Sequence, residues 1–323
     1  MGGAAAENIL ITSAARKAPL VRAMQAAAQR AVPGAAVIAG DVDAQAPARY
    51  VADGFWHMPP LAETTPEALR EGCLARGIGT VLPTRDGELP FWAEAKPLFA
   101  AAGIDVVVSP PESVARCLDK LAFARFGAER GLPFIPAALD LDTLEADAFV
   151  VKERFGAGSR NIGLRLDRAA ARAHARALEA PLFQPFVAGV EISIDAWMDR
   201  HGAPAGLVLR RRDRVVGGES QITTTFRDAA LEAAAREVFC ALHLNGPAVM
   251  QAIVLPDGGL KVIECNGRFG GASTASIAAG LELLAWSLAE RHAPGTPPLF
   301  RRLEGELRQV RLPQDVIVHD PDL

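Results

Sequence analysis

The strongest constraint on the fold is a rhythm in the first third of the chain. Short apolar runs alternate there with amphipathic stretches. Asn8 to Thr12, Ala35 to Ala39, Ile78 to Leu82 and Asp105 to Val108 read as strands. Between them, Ala15 to Arg30, Thr65 to Arg76 and Gly87 to Ala102 read as helices, broken by Pro33-Gly34 and Gly103. Alternating strands and helices of this kind pack as a parallel sheet with helices on both faces. Residues up to about 115 are therefore expected to form a doubly wound α/β domain. The turn after the first strand, Thr12-Ser13-Ala14-Ala15-Arg16-Lys17, lacks the glycines that cradle a dinucleotide pyrophosphate, which argues against an NAD site. Ser13, Arg16, Asp41, Asp43, Thr84, Arg85 and Asp86 sit at strand ends, where such sheets bind ligands. Helix capping and turn chemistry explain the same residue types. Pro83 to Glu88 is the best substrate-contact candidate among them.

Composition narrows the class. The chain has 323 residues, half of them hydrophobic, and a net charge of −4, so there is no basic field for nucleic acid. Cys73, Cys117, Cys240 and Cys265 show no C-x-x-C spacing and read as reduced thiols. No apolar run reaches membrane-span length, and the first residues carry neither a secretion signal nor a myristoylation motif. A cytoplasmic protein with no nucleic-acid or membrane partner is expected.

Beyond Leu118 the character changes. Asp119 is placed to cap a helix over Lys120 to Arg130 that stops at Gly131. Phe149 to Lys152 is a strand ending in lysine. It runs into the glycine-rich stretch Glu153 to Gly163, and a second strand follows at Ile162 to Leu166. Backbone N–H groups of such a loop, around Gly156, Gly158 and Ser159, suit phosphate oxygens, with Lys152 supplying charge. A mobile hairpin loop has the same composition, and no Walker A lysine is present. Glu191, Ser193 and Asp195 alternate on one face of the strand Val190 to Trp197, and pairing is expected to continue through Ala205 to Arg212. Gly217 to Thr223 reads as a polar loop that closes a site or turns in solvent. The helix Ala229 to Leu244 is expected to end on a left-handed cap at Asn245-Gly246. Val249 to Val254 and Leu260 to Ile263 form a hairpin over Pro256 to Gly259.

That hairpin leads to Glu264-Cys265-Asn266-Gly267-Arg268-Phe269-Gly270-Gly271. Glu264 and Asn266 project from one face, a pattern that suits a hard divalent cation, and Gln251 lies on the adjoining strand. A solvated strand end is the competing explanation. Leu281 to Arg291 is the last strong helix, and a strand is expected near Leu307 to Leu312.

Taken in order, these stretches resemble the ATP-grasp superfamily, nearest to the single-module, carbamoyl-phosphate-synthase-like carboxylate–amine ligases. The resemblance implies a pre-ATP-grasp domain over 1–117, a small lobe with a glycine-rich flap over 118–183 and a large lobe with the metal site over 184–323. It implies ATP held by Lys120, Lys152, Gly156, Gly158 and Ser159. The hinge Gln184-Pro185-Phe186-Val187 would read the adenine edge, and Glu191 would bind the ribose hydroxyls. Family members often have Glu where this chain has Gln184. Gln251, Glu264 and Asn266 match the ligands of Mg²⁺, with Mn²⁺ a second option. Lys152 and Arg268 match the residues at the transferred phosphoryl group. The implied reaction phosphorylates a carboxylate and joins it to an amine, both small molecules.

Phe269-Gly270-Gly271 departs from the Gln-Val-Glu-His run of a biotin carboxylase, and the chain has room for one grasp module and no glutaminase. Arg85, Arg210, Arg212, Glu219 and Ser220 are candidate substrate selectors, the arginines by pairing with a carboxylate; a solvated strand face is the simpler explanation of the arginine run. A homodimer through the first domain is a common family arrangement. Alternatives on the same scaffold are a kinase-like phosphoryl transferase and a non-catalytic nucleotide sensor.

Overall fold

The computed structural model describes residues 7–156, 158, 161–292 and 299–318. Contacts divide the chain into two units. One comprises Met1–Val108, Glu282–Phe300 and Val310–Leu323, the other Ser109–Leu281 and Arg301–Gln309.

The first unit begins β1 (Asn8–Ile11), α1 (Ala18–Ala31), β2 (Val37–Asp41), β3 (Gly54–His57), α2 (Pro66–Leu74), β4 (Ile78–Leu82), α3 (Leu89–Ala101) and β5 (Asp105–Val106). All five strands are parallel, in the order β3-β2-β1-β4-β5. β2 and β4 are buried along their whole length. Helices on both faces of the sheet explain why these strands read as apolar runs instead of alternating.

The second unit contains two sheets. Its first part is α4 (Pro111–Leu118), α5 (Lys120–Glu129), β6 (Phe149–Glu153), β7 (Gly163–Leu166), α6 (Arg168–Ala175) and β8 (Pro181–Pro185). β6 is the centre of an antiparallel three-stranded sheet, β7-β6-β8. Phe149, Val151 and Phe183 bury one face against Leu141, Leu144 and Ala171. By register, Val150 pairs with Gln184 and Lys152 with Leu182, so these four share the other face.

The larger sheet follows with β9 (Val190–Met198), β10 (Pro204–Val216), β11 (Glu219–Phe226), α7 (Ala229–Leu242), β12 (Gly246–Val254) and β13 (Leu260–Asn266), then α8 (Ser273–Ala278). The chain then returns to the first unit as α9 (Leu283–His292), which packs on α1, and later adds β14 (Arg308–Val310) at the larger sheet's edge. The strand order is β13-β12-β9-β10-β11-β14. Ile192, Ile194, Ala196 and Met198 of β9 bury against Leu231, Ala235, Val238, Phe239 and Leu242 of α7, a helical stripe. Burial of each such Leu, Ile or Phe contributes on the order of 2 kcal/mol. Glu191, Ser193 and Asp195 therefore take the opposite face. The segment after α5 ties the two sheets together. Ile135 N donates to Val262 O at 3.0 Å, and Ala138 exchanges backbone bonds with Phe183.

Several elements differ from expectation. The parallel sheet has five strands, since β3 was not anticipated. The stretch 217–223 is not a loop: after a Gly217-Gly218 turn with both φ positive, it enters β11, a full partner of β10. α7 ends earlier than expected, and its left-handed cap is His243, with φ at 52°. α4 and α8 are additional helices. The contact division also departs from segments 1–117, 118–183 and 184–323: the first unit stops at Val108, and α9 belongs to it.

Candidate functional site

In the second unit, polar side chains meet from both sheets. β12 and β13 pair Gln251 directly with Glu264, and Val249 with Asn266. On the other side of β12, Gln251 pairs with Ser193, which in turn pairs with Arg210. Glu264, Gln251, Ser193 and Arg210 thus form one row across four strands, with Asn266 two residues along on the same face. A bulge at Ile263 separates the core positions Leu260 and Val262 from this polar end. The Asn266 amide nitrogen points at Glu264 Oε1, 3.4 Å away, which turns its carbonyl oxygen elsewhere.

Lys152 faces this row from the smaller sheet. It is 5% exposed and makes no hydrogen bond or ion pair among the described residues. Burial pulls its pKa down to about 8, Glu264 and Glu191 push it back up, and Lys120 adds to the depression. The ammonium of Lys152 is therefore within electrostatic reach of both acids and of the second lysine.

Lys120 opens α5. Asp119 caps that helix through Leu121 N at 3.0 Å and Ala122 N at 3.2 Å, and receives Arg154 Nε at 2.8 Å. The Arg154 guanidinium holds the Asp119 carboxyl below its usual range. This bracket joins the start of α5 to the end of β6, so both lysines come from one braced corner. Lys120 Nζ donates to Gly156 O at 2.9 Å. Gly156 and Gly158 have φ of 115° and 79°, a region that suits glycine. Ser159 lies outside the described residues.

At the hinge, Gln184 is buried and donates Nε2 to Ile135 O at 3.2 Å. Pro185, Phe186 and Val187 are half-buried, and Phe186 N donates to Ala148 O at 2.8 Å. The turn to β9 needs Gly189, since a Cβ there would lie 2.3 Å from Val254 O. Glu191 follows, with Oε1 3.1 Å from Arg212 Nε. Arg268 is half-buried and donates to Phe269 O at 3.0 Å.

Arg210 does not stand open for a substrate carboxylate. It is 2% exposed and donates Nε to Asp195. Asp195 also receives Ser273 Oγ at 2.6 Å and Ser276 Oγ, so the pair anchors α8 to the sheet. Sequence reasoning missed this network; its one legible signal is the i, i+3 spacing of Ser273 and Ser276, which puts both hydroxyls on one helix face. The Arg212 side chain is 8% exposed; it donates to Ser193 Oγ and Gly218 O and lies in an ion pair with Glu191, while its Nε makes no hydrogen bond among the described residues. Ser220 is buried and Glu219 exposed, at the start of β11.

In the first unit, the strand-end polar residues mostly serve each other. The buried Glu88 carboxylate accepts from Thr12 Oγ1 and Thr84 N at 2.8 Å, Arg85 N at 2.9 Å and Trp92 Nε1 at 3.2 Å. Thr84 Oγ1 donates to the carbonyls of Thr12 and Ser13. Asp41 accepts from Ala15 N and Asp43 N, and Asp43 from Gln45 N. These are turn and capping bonds. The Arg85 and Arg16 side chains are exposed.

Among the described residues, no group of three or more His, Cys, Asp or Glu gathers to hold a metal. Gln251, Glu264 and Asn266 offer one carboxylate and two amide oxygens. That set suits a cation that shares its coordination with phosphate oxygens and water, which is the habit of Mg²⁺. No helix among the described residues is long and apolar enough to cross a membrane.

This architecture has known counterparts. Residues 9–107 match the PylC-like N-terminal domain family, and residues 177–303 match the family described as ATP-grasp in the biosynthetic pathway with Ter operon. The match over residues 177–303 puts that part of the chain in the ATP-grasp superfamily, whose members are ATP-dependent ligases. No curated protein matches its sequence. Among solved structures, it resembles biotin carboxylase from Campylobacter jejuni at TM-score 0.73 and 15% identity, over 94% of this chain and 75% of the other. L-amino acid ligase from Bacillus licheniformis matches at 0.65 and 18%, over 89% and 74%. Pyruvate carboxylase from Rhizobium etli matches at 0.72 and 17%, over 95% of this chain but only 31% of its own length. At these identities the likeness is one of fold.

Proposed function

We propose that the protein activates a small carboxylate as an acyl phosphate with ATP and joins it to an amine, releasing ADP and phosphate. The observation that carries this reading is the opposition of Lys152 to Glu264 and Glu191 across the two sheets. A buried lysine without a bonded partner among the described residues, facing acids that suit a cation, fits the terminal phosphates of a nucleotide. Phosphoryl transfer needs this alignment and charge neutralisation more than covalent help.

Lys120, Lys152, Gly156 and Gly158 bind phosphate oxygens in this reading, together with Ser159 as the sequence suggests. Gln184 to Val187 take the adenine and Glu191 the ribose. Gln251, Glu264 and Asn266 would hold Mg²⁺, whose charge, when bound, neutralises β- and γ-phosphate oxygens. Arg268 steadies the transferred group. The carboxylate oxygen attacks the γ-phosphorus as the bond to ADP breaks. The amine lone pair then attacks the acyl carbon, and phosphate leaves with one former carboxylate oxygen. The amine proton goes to solvent. Phe269-Gly270-Gly271 in place of the biotin-carboxylase run favours the ligase over carboxylation chemistry. The likeness in fold to the L-amino acid ligase from Bacillus licheniformis makes an amino acid the first carboxylate to try. Arg85, Glu219 and Ser220 remain candidates for substrate contact.

The test is phosphate release from Mg-ATP across a panel of amino acids and small acids, with and without amines. The active carboxylate is then labelled with ¹⁸O. A ligase transfers one label into the released phosphate. Carboxylate-independent hydrolysis, or a retained phosphorylated product with no labelled phosphate, contradicts the proposal.

A further inference from the structure

Arg212 sits where three parts of the nucleotide side of the larger sheet converge. Its Nε lies 3.1 Å from Glu191 Oε1, its Nη1 3.4 Å from Ser193 Oγ, and its Nη2 donates to Gly218 O at 2.9 Å. Glu191 and Ser193 come from β9, Arg212 from β10, and Gly218 from the turn between β10 and β11. The two members of the ion pair are buried very differently. The Arg212 side chain is 8% exposed and that of Glu191 44% exposed.

That asymmetry has a consequence. A buried guanidinium is held in place by its planar fork of donors and is always charged. An exposed glutamate on a strand end, by contrast, samples several rotamers and loses entropy when a ligand fixes it. Arg212 holds a fixed positive charge 3.1 Å from Glu191 Oε1 without hydrogen-bonding it, so the carboxylate's lone pairs stay open to solvent or a ligand. The Arg212 Nη1 and Nη2 donate to Ser193 Oγ and Gly218 O, whereas Nε is buried and makes no hydrogen bond among the described residues, so its pairing with Glu191 is one of charge.

We infer that Arg212 is a positioning residue for Glu191: its charge preorganises the carboxylate as an acceptor for the two ribose hydroxyls, and so sets nucleotide affinity. This rests on the ATP reading above, and specifically on Glu191 as the ribose acceptor.

The test is equilibrium binding by isothermal titration of Mg-ATP and Mg-2′,3′-dideoxy-ATP, with no carboxylate present. Wild type, Arg212→Ala, Arg212→Lys and Glu191→Gln are compared, and thermal melting confirms folding. Wild type is expected to prefer ATP over the dideoxy analogue. Arg212→Ala should weaken ATP by about five-fold, the scale of an ion pair with one exposed partner. It should change the dideoxy analogue by no more than about two-fold, because Glu191 has no hydroxyl to meet there. Arg212→Lys, which keeps the charge but loses the fork, should fall between. Equal losses for both nucleotides would place Arg212 on the phosphates or in the turn and overturn the inference. Unchanged binding of both overturns it as well. Should wild type bind both nucleotides equally, the ribose role of Glu191 fails and takes the inference with it. The phosphate roles of Lys152 and Glu264 would stand apart from that result. If Arg212→Ala does not fold, Arg212→Lys against Glu191→Gln supplies the same comparison.

Discussion

The chain carries two polar clusters at strand ends, one in each unit, and they behave oppositely. In the first unit, Glu88, Thr84, Thr12 and Asp41 spend their hydrogen bonds on one another and on turn backbone. In the second, Lys152 is buried and has no bonded partner among the described residues, opposite Glu264 and Glu191. The residue types are similar, but the satisfaction differs. A buried cluster whose donors and acceptors are matched costs little and stabilises the fold. A buried charge left without a bonded partner is costly, and such cost is retained where a ligand later supplies the missing partner.

The largest expected effects separate the two clusters by kind. Glu264→Ala should abolish magnesium-dependent ATP turnover, by about a thousand-fold or more, with cooperative thermal unfolding intact. Undiminished turnover would remove the metal role. Glu88→Ala should do the reverse. It strands the Thr84 and Arg85 N–H groups and the Trp92 indole, at a cost of about 3 kcal/mol, seen as a lower melting temperature, while turnover per folded molecule persists. If Glu88→Ala instead lost turnover without losing stability, the comparison would collapse. A related stability effect is expected at Asp195→Ala, which leaves Arg210 buried and unpaired at a cost of about 3–5 kcal/mol; denaturant unfolding reads it.

Smaller effects sharpen the contrast. Lys152 has its pKa depressed to about 8 by burial. Between pH 8 and its unfolded value, the unfolded chain binds the extra proton, so this residue makes stability rise with pH across that window. Nucleotide phosphates favour the charged form, so affinity should move the other way. Mg-ATP binding should be flat below pH 8 and weaken above it, by up to about ten-fold per pH unit. Proton uptake on binding at pH 9, measured by titration in buffers of different ionisation enthalpy, checks the sign.

How much of this was legible in sequence follows from the same contrast. β1, β4 and β6 were readable because they are short apolar runs bounded by turns, and the Gln251–Glu264 pairing followed from the hairpin over Pro256 to Gly259. β11 was not, because Ile222 is the one apolar residue among Ser220, Gln221 and three threonines. That run reads as polar loop until its partner is known to be β10, whose Arg210 lies buried against Thr223. α8 is too short and too rich in Ser, Thr and Ala for a periodic signal. The side-chain fate of Arg210 was illegible for a physical reason: its partner Asp195 is 15 residues away, and only strand register brings them together. Helix caps are similarly local in outcome but not in signal. His243 takes the left-handed position although glycine and asparagine stand just beyond it.

The most direct measurement of the central claim is a double-mutant cycle on Mg-ATP affinity, with Lys152→Ala, Glu264→Ala and the pair. If both side chains act on the same terminal phosphates, one directly and one through the cation, the losses will be non-additive by about 1 kcal/mol or more. Strictly additive losses, within about 0.3 kcal/mol, would mean that the two residues serve separate sites and would contradict the account.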